Sequence, residues 1–173
     1  MLRKAYQLKE VNSLRNVVVG VFHNQEQAEQ SLQELKQRGF EQNISLIAKD
    51  DNVQERSEEE IISFEEQDLS EGTYTGGVLG GVAGLIAGAG ALLIPGIGPI
   101  IAAGPLAATL TGVVAGGIAG GLIDYGIPEE RGEYYEEQIR QGGILVTLRS
   151  SYDKVEEAAS IMREYDAEDV EIH

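Results

Sequence analysis

The side chains that most often perform chemistry are few in this sequence, and none lies in a familiar catalytic arrangement. There are two histidines and no cysteine, which rules out disulfides, thiolate metal sites and cysteine nucleophiles. His23 precedes Asn24 in a position typical of a turn or helix cap, and His173 is the last residue, where a chain usually frays. No serine lies in a Gly-x-Ser-x-Gly elbow. We therefore expect no catalytic residues, no metal, no cofactor and no enzyme activity.

Three further groups could bind a ligand, and each has a simpler structural interpretation. The acidic residues 58–60 lack the spaced ligands and glycine turn of a calcium loop, which favours a solvated surface. The glycine pairs at 76–77 and 80–81 lack the lysine of a phosphate loop, so packing explains them better. Tyr134 and Tyr135 should cover a sheet edge or the base of a hairpin, and a ligand site lined by them is the alternative.

The charges divide the chain into two unlike parts. There are 13 Lys and Arg against 29 Asp and Glu, a formal net charge of −16, yet the 52 residues from Gly72 to Ile123 carry none. Because this acidity repels phosphate backbones, we expect no nucleic-acid partner. The basic residues near the start of the chain precede no apolar run of signal-peptide type, so we predict a cytoplasmic protein.

Residues 1–49 have the pattern strand, helix, strand. The β-branched run at 17–22 predicts a buried strand, and Asn24 is placed to cap a helix, with Gln27 at the capping-box position. That helix should end at Gly39, before a short strand at 44–48. Its apolar stripe consists of Ala28, Leu32 and Leu35.

Residues 125–173 repeat this pattern after an additional helix. The additional helix is predicted at 129–141 and should end at Gly142. A strand at 144–148, a helix capped near Ser151 and a last alternating strand at 170–172 follow. The apolar stripe of the last helix is Val155, Ala158, Ala159 and Met162.

Together the two ends predict one α+β domain. Two βαβ units packed as four antiparallel strands with both helices on one face make a ferredoxin-like split βαβ sandwich. Residues 50–74 form an acidic connector, and residues 75–124 form an inserted apolar, glycine-rich helical hairpin.

The hairpin is predicted from two ladders of small residues spaced four apart. Glycine costs a helix about 1 kcal/mol relative to alanine, and close backbone packing would compensate for that cost. Prolines and glycines at the centre break the helix, which predicts two arms at about 75–94 and 100–123. Gly104-Pro105 is either a kink or a second helix start. The residues assigned to oligomerisation or membrane contact are Gly76, Gly80, Gly84 and Gly88, then Pro95, Gly96, Gly98 and Pro99, then Gly104, Ala108, Gly112, Gly116 and Gly120.

An apolar hairpin of this kind must be covered, and three environments are open. Hairpins from several subunits could bury one another in a homo-oligomer. Alternatively, the hairpin could enter a bilayer, with Tyr74 and Tyr125 at the interface, although its acidic flanks count against an anionic membrane. Burial against the chain's own small sheet is the least favoured of the three.

The chain also resembles a known family. The strand at 17–22 with its striped helix, the runs at 95–99 and 103–107 within glycine ladders, and Tyr134-Tyr135-Glu136-Glu137 followed by 142–146 (Gly-Gly-Ile-Leu-Val) are similar to bacterial general stress proteins of the heat-induced YflT type. The resemblance covers about residues 16–173 and implies a stress-associated protein without catalytic residues to transfer.

We therefore expect a non-enzymatic stress protein that self-assembles through its glycine-zipper hairpin. One alternative is a membrane-anchored protein whose hairpin enters the bilayer. Another is a small-ligand sensor that uses a cleft between sheet and hairpin, as suggested by analogy with ferredoxin-like regulators.

Overall fold

The computed structural model describes residues 16–50, 90–94, 96–110 and 116–173. The predicted acidic connector from residue 51 onward and the acidic residues 58–60 lie outside these ranges. So do Pro95, Gly112 and the whole first glycine ladder, which comprises Gly76, Gly80, Gly84 and Gly88.

The described residues form six strands and five α-helices. In chain order these are β1 (Asn16–Phe22), α1 (Gln25–Gln37), a 3-10 turn (Glu41–Asn43), β2 (Ile44–Lys49), β3 (Gly90–Ile94), β4 (Gly98–Ala103), α2 (Pro105–Leu110), α3 (Gly117–Asp124), α4 (Glu129–Arg140), β5 (Ile144–Ser150), α5 (Tyr152–Glu164) and β6 (Glu168–Ile172). The strands make one antiparallel sheet in the order β3-β4-β2-β5-β1-β6. The predicted α+β class is confirmed.

Helix α1 begins and ends where the sequence predicts. The Asn24 side chain accepts a 2.8 Å hydrogen bond from the Glu26 backbone N–H, and Gly39, just after the helix, has φ +84°. The capping-box role of Gln27 is wrong. Its side chain donates to Asp166 at 3.0 Å, in the turn before β6, because that acceptor lies within reach once the two halves pack together.

Helices cover both faces of the sheet. On one face, α1 and α5 share an apolar core with Val18 and Phe22 of β1. On the other, α2, α3 and α4 pack against Val17, Val19 and Val21. Burial from both sides explains why β1 is apolar without alternation, as in strands enclosed between helical layers. The sequence predicted the first helical layer and not the second.

The helical hairpin is wrong over 90–94 and 98–103, which are paired β-strands, whereas the described part of the predicted second arm beyond Gly104 is helical. Strand β3 pairs with β4, with Gly90 opposite Ala102 at one end and Ile94 opposite Gly98 at the other. Strand β4 in turn pairs with β2. Gly96 lies in the turn, and Gly98 and Pro99 begin β4. A short apolar run bounded by glycine and proline has no period that separates helix from strand, and the isoleucines here favour the strand.

The described residues of the second ladder are divided among several elements. Gly104 lies in the turn after β4, Ala108 lies in α2, and Gly116 and Gly120 cap and enter α3. Pro105 is the first residue of α2, so the second helix start is confirmed. Four of the five large apolar side chains of α2 and α3 are buried against the chain's own sheet, which was the least favoured environment, whereas Ile123 is 41% exposed. The four buried side chains are those of Leu106, Leu110, Ile118 and Leu122.

Candidate functional site

Tyr134 and Tyr135 lie around Arg131 near the β6 edge of the sheet. The Arg131 guanidinium carbon is 4.5 Å and 5.0 Å from the two ring centroids, and Arg131 pairs with Glu171 of β6 at 2.7 Å. The Tyr134 hydroxyl donates to Asp169. Cation–π contacts combined with an ion pair hold α4 against β6. This geometry agrees with tyrosines that cover a sheet edge.

Burial in the same cluster favours the neutral forms of Tyr135 and His173. Burial raises the pKa of the Tyr135 hydroxyl to about 12. Burial also lowers the pKa of the His173 imidazole, whose Nε2 is 3.4 Å from Glu171. The expected fraying of His173 is wrong, because its backbone N–H donates to the Val17 carbonyl at 2.8 Å and its carbonyl accepts from the Val17 N–H. These groups anchor strand and helix.

The remaining polar candidates form no metal site in the part of the chain that the structure describes. No group of three or more His, Asp or Glu side chains there could hold a metal ion. His23 lies in the bend after β1, as expected, with its Nε2 3.3 Å from a Glu168 carboxylate oxygen.

The β3–β4 hairpin gives the sheet an apolar edge. Among the described strands, β3 neighbours β4 alone. Leu93 points away from the core and is 79% exposed, whereas Ile94 is 5% exposed. No residue of the hairpin is charged. An uncharged edge strand with a large exposed side chain is a template for pairing with another strand.

A cavity of about 520 Å³ lies at the end of the sheet where β5 passes into α5. The α1–β2 connection, the start of α2 and the turn after α3 form its other walls. Its described lining residues are Gly39, Phe40, Asn43, Pro105, Tyr125, Arg149, Ser150, Ser151 and Lys154. Two of these are cationic and none is acidic, although the chain has a net charge of −16.

Aromatic rings position both cations. The Arg149 guanidinium carbon is 4.0 Å from the Tyr125 ring centroid, and the guanidinium donates to the Tyr125 carbonyl. The Lys154 ammonium is 5.3 Å from the Phe40 ring centroid. Neither cation forms an ion pair with a carboxylate of the described ranges. Tyr125 is 3% exposed, and its hydroxyl has no hydrogen-bond partner there.

Sequence reasoning did not find this cavity. The membrane alternative placed Tyr125 at the bilayer interface, whereas the structure buries Tyr125 beneath Arg149. The one local signal was Arg149-Ser-Ser-x-x-Lys154, which sets two cations on either side of a helix N-terminus in an acidic chain. The aromatic walls come from distant parts of the sequence.

Comparison with protein-family models, curated proteins and solved structures gives no match to this chain. The resemblance to YflT-type stress proteins therefore stays a prediction. No helix within the described ranges combines the length and apolar character needed to cross a membrane.

Proposed function

We propose that this is a non-enzymatic, stress-associated protein that self-assembles through the edge of its β3–β4 hairpin. The observation that carries the proposal is Leu93, which is 79% exposed on an uncharged edge strand. Burying a leucine side chain contributes about 1.5–3 kcal/mol. Pairing this edge with another strand would gain that contribution as well as backbone hydrogen bonds.

A second copy of the chain is the partner that fits this edge. Two antiparallel β3 strands related by a twofold axis would bring Leu93 of each copy to the same interface, since such an interface uses one patch twice. An uncharged strand offers no ion pair to a charged partner, whereas a second uncharged strand can pair with it. The acidic remainder would limit further association through mutual repulsion. The first glycine ladder, which belongs to the same uncharged segment, stays a predicted contributor.

The proposal also includes a ferredoxin-like core. Without the β3–β4 hairpin, the four remaining strands have the order β2-β5-β1-β6, and α1 and α5 both pack on one face of these strands. This order and layering support a split βαβ sandwich to which the β3–β4 hairpin and α2 to α4 have been added.

Substitution of Leu93 tests the assembly. We expect the wild-type chain to elute as a multimer in size-exclusion chromatography with light scattering. The Leu93→Lys variant should have a dissociation constant for self-assembly that is at least about tenfold higher. The matched control is Tyr152→Lys, which adds the same charge in place of a 60% exposed side chain on α5. If Leu93→Lys and Tyr152→Lys had equal masses in solution, assembly through the β3 edge would be contradicted.

The same preparation tests the membrane alternative. Detergent-free extract is centrifuged at high speed, and the untagged wild-type protein is followed in pellet and supernatant. Recovery of the multimer in the supernatant supports self-assembly, whereas recovery only with the membranes supports insertion of the apolar segment.

A further inference from the structure

We infer that the cavity at the start of α5 binds a small phosphorylated metabolite whose phosphate contacts the side chains of Arg149, Ser151 and Lys154. This site is separate from the β3 edge and does not depend on self-assembly.

The first argument is the local reversal of charge. Among the described arginines outside the cavity, Arg38, Arg131 and Arg140 each contact a carboxylate, and Arg163 donates to the Val170 carbonyl. By contrast, Arg149 and Lys154 lie over aromatic rings and have no ion pair within the described ranges. Two uncompensated cations in one cavity of a chain with charge −16 create a local attraction for a small anion.

The second argument is that two residues of the cavity lining have buried polar atoms without hydrogen-bond partners among the described residues. Arg149 Nε and the Tyr125 hydroxyl are both buried and have no hydrogen-bond partner among the described residues. Buried polar atoms are nearly always satisfied, and exceptions often mark a place for water or a ligand. Both residues line the cavity, and Tyr125 is itself only 3% exposed.

The third argument is the preorganisation of the binding groups. The guanidinium of Arg149 is fixed by the Tyr125 ring and carbonyl, so little side-chain entropy is lost when an anion binds. Ser151 is the N-cap of the 13-residue helix α5, and its side chain makes no capping hydrogen bond. The Ser151 hydroxyl lines the cavity and can donate to a phosphate oxygen, whereas the Lys154 backbone N–H already donates to the Ser151 carbonyl at 3.0 Å. Asp153 of that turn is exposed and does not line the cavity.

The size and lining of the cavity indicate the rest of the ligand. About 520 Å³ lies within the usual range of small-molecule sites and exceeds the space that phosphate alone would fill. Phe40 and Pro105 provide apolar wall for an organic group. Two cations and the Ser151 hydroxyl favour the dianionic phosphomonoester over a carboxylate, because the ester has more charge and three acceptor oxygens.

The test is isothermal titration of the full chain with glycerol 3-phosphate and with inorganic phosphate at fixed ionic strength. We expect saturable binding of both. Lys154→Gln should weaken it by about tenfold, since one charge-assisted hydrogen bond is lost. The control Lys36→Gln removes the same charge from α1 outside the cavity and should bind like wild type. Arg149→Lys, which keeps the charge and loses the planar fork, should also weaken binding.

Three outcomes would overturn the inference. One is an absence of saturable phosphate binding by the folded wild-type chain. Another is an equal effect of Lys154→Gln and Lys36→Gln. The last concerns the source of the phosphomonoester: binding to phosphatidic acid vesicles without binding to glycerol 3-phosphate would assign the site to a lipid surface. Leu93→Lys should bind phosphate like wild type, which separates this site from the assembly edge.

Discussion

Replacement of Gly104 by alanine probes the join between the inserted hairpin and the central sheet. Gly104 has φ +82°, and a Cβ added there would lie 2.1 Å from the Ile44 carbonyl oxygen and 2.8 Å from the Ser45 Cα. These are backbone atoms of β2, so no side-chain rotation can relieve the overlap. Strand β2 would have to move by more than an ångström from β4 and the turn.

Three costs combine in Gly104→Ala. The left-handed conformation costs an L-residue about 1–2 kcal/mol, and the forced displacement costs about 1–3 kcal/mol more. The displacement also strains the 3.0 Å hydrogen bond from the Leu106 N–H to the buried Ser45 hydroxyl, whose loss costs about 1–3 kcal/mol. We therefore expect a loss of at least about 3 kcal/mol, a large part of the stability of an ordinary domain.

Urea unfolding followed by circular dichroism measures this loss. With a slope of about 2 kcal/mol per molar urea, the midpoint should fall by about 1.5 M or more. Gly142→Ala is the matched control, because Gly142 has φ +97° and nothing within 4 Å of an added Cβ. Gly142→Ala should lose only the free energy of placing an L-residue in the left-handed conformation, about 1–2 kcal/mol. Coincident midpoints for the two variants would refute the close approach of Gly104 to β2.

Two further predictions concern α4. The Glu136 carboxylate accepts a 2.8 Å hydrogen bond from the Ala119 N–H, so it caps α3 from a neighbouring helix; Glu136→Ala should cost about 1 kcal/mol in urea unfolding, and the exposed Glu133→Ala nearly nothing. Burial raises the pKa of Tyr135 from its ordinary value near 10 to about 12, so its contribution to stability should be complete below pH 10 and lost as pH rises towards 12. Tyr135→Phe should lose less stability between pH 10 and pH 12 than the wild-type chain, and the last tyrosinate step in its absorbance titration should be missing. An equal alkaline loss of stability in both proteins would contradict the raised pKa of Tyr135.

The two βαβ halves could be predicted because their signals are local. A capping asparagine, glycines just beyond helix ends and single apolar stripes act within a few residues, so Asn24, Gly39 and Gly142 mark boundaries that the structure confirms. The alternating Val170 and Ile172 likewise face the core shared by α1 and α5.

The inserted segment could not be predicted in the same way. Spacing of glycine by four suits a helix ridge, yet the conformation of 98–103 is decided by pairing with β2, about 50 residues earlier in the chain. Ile47 lies opposite Ala102, and no sequence feature close to either residue indicates this pairing. Tertiary pairing overrode the local pattern, as it commonly does for strands.

The cavity was hidden for a related reason. Arg149 and Lys154 are ordinary surface cations in the sequence, and they acquire a role only where the fold places Tyr125 and Phe40 beneath them. The contact between Arg149 and Tyr125 joins the end of β5 to the turn after α3. Composition alone predicted an acidic molecule and gave no indication of this local cationic surface.

The mass of the wild-type chain in solution tests self-assembly most directly. One chain has a mass of 18.6 kDa. Sedimentation equilibrium without detergent should give a mass that is a multiple of this value and shifts towards the monomer on dilution, because pairing of β3 edges is an equilibrium. A single species of one-chain mass at every concentration would contradict assembly through this edge.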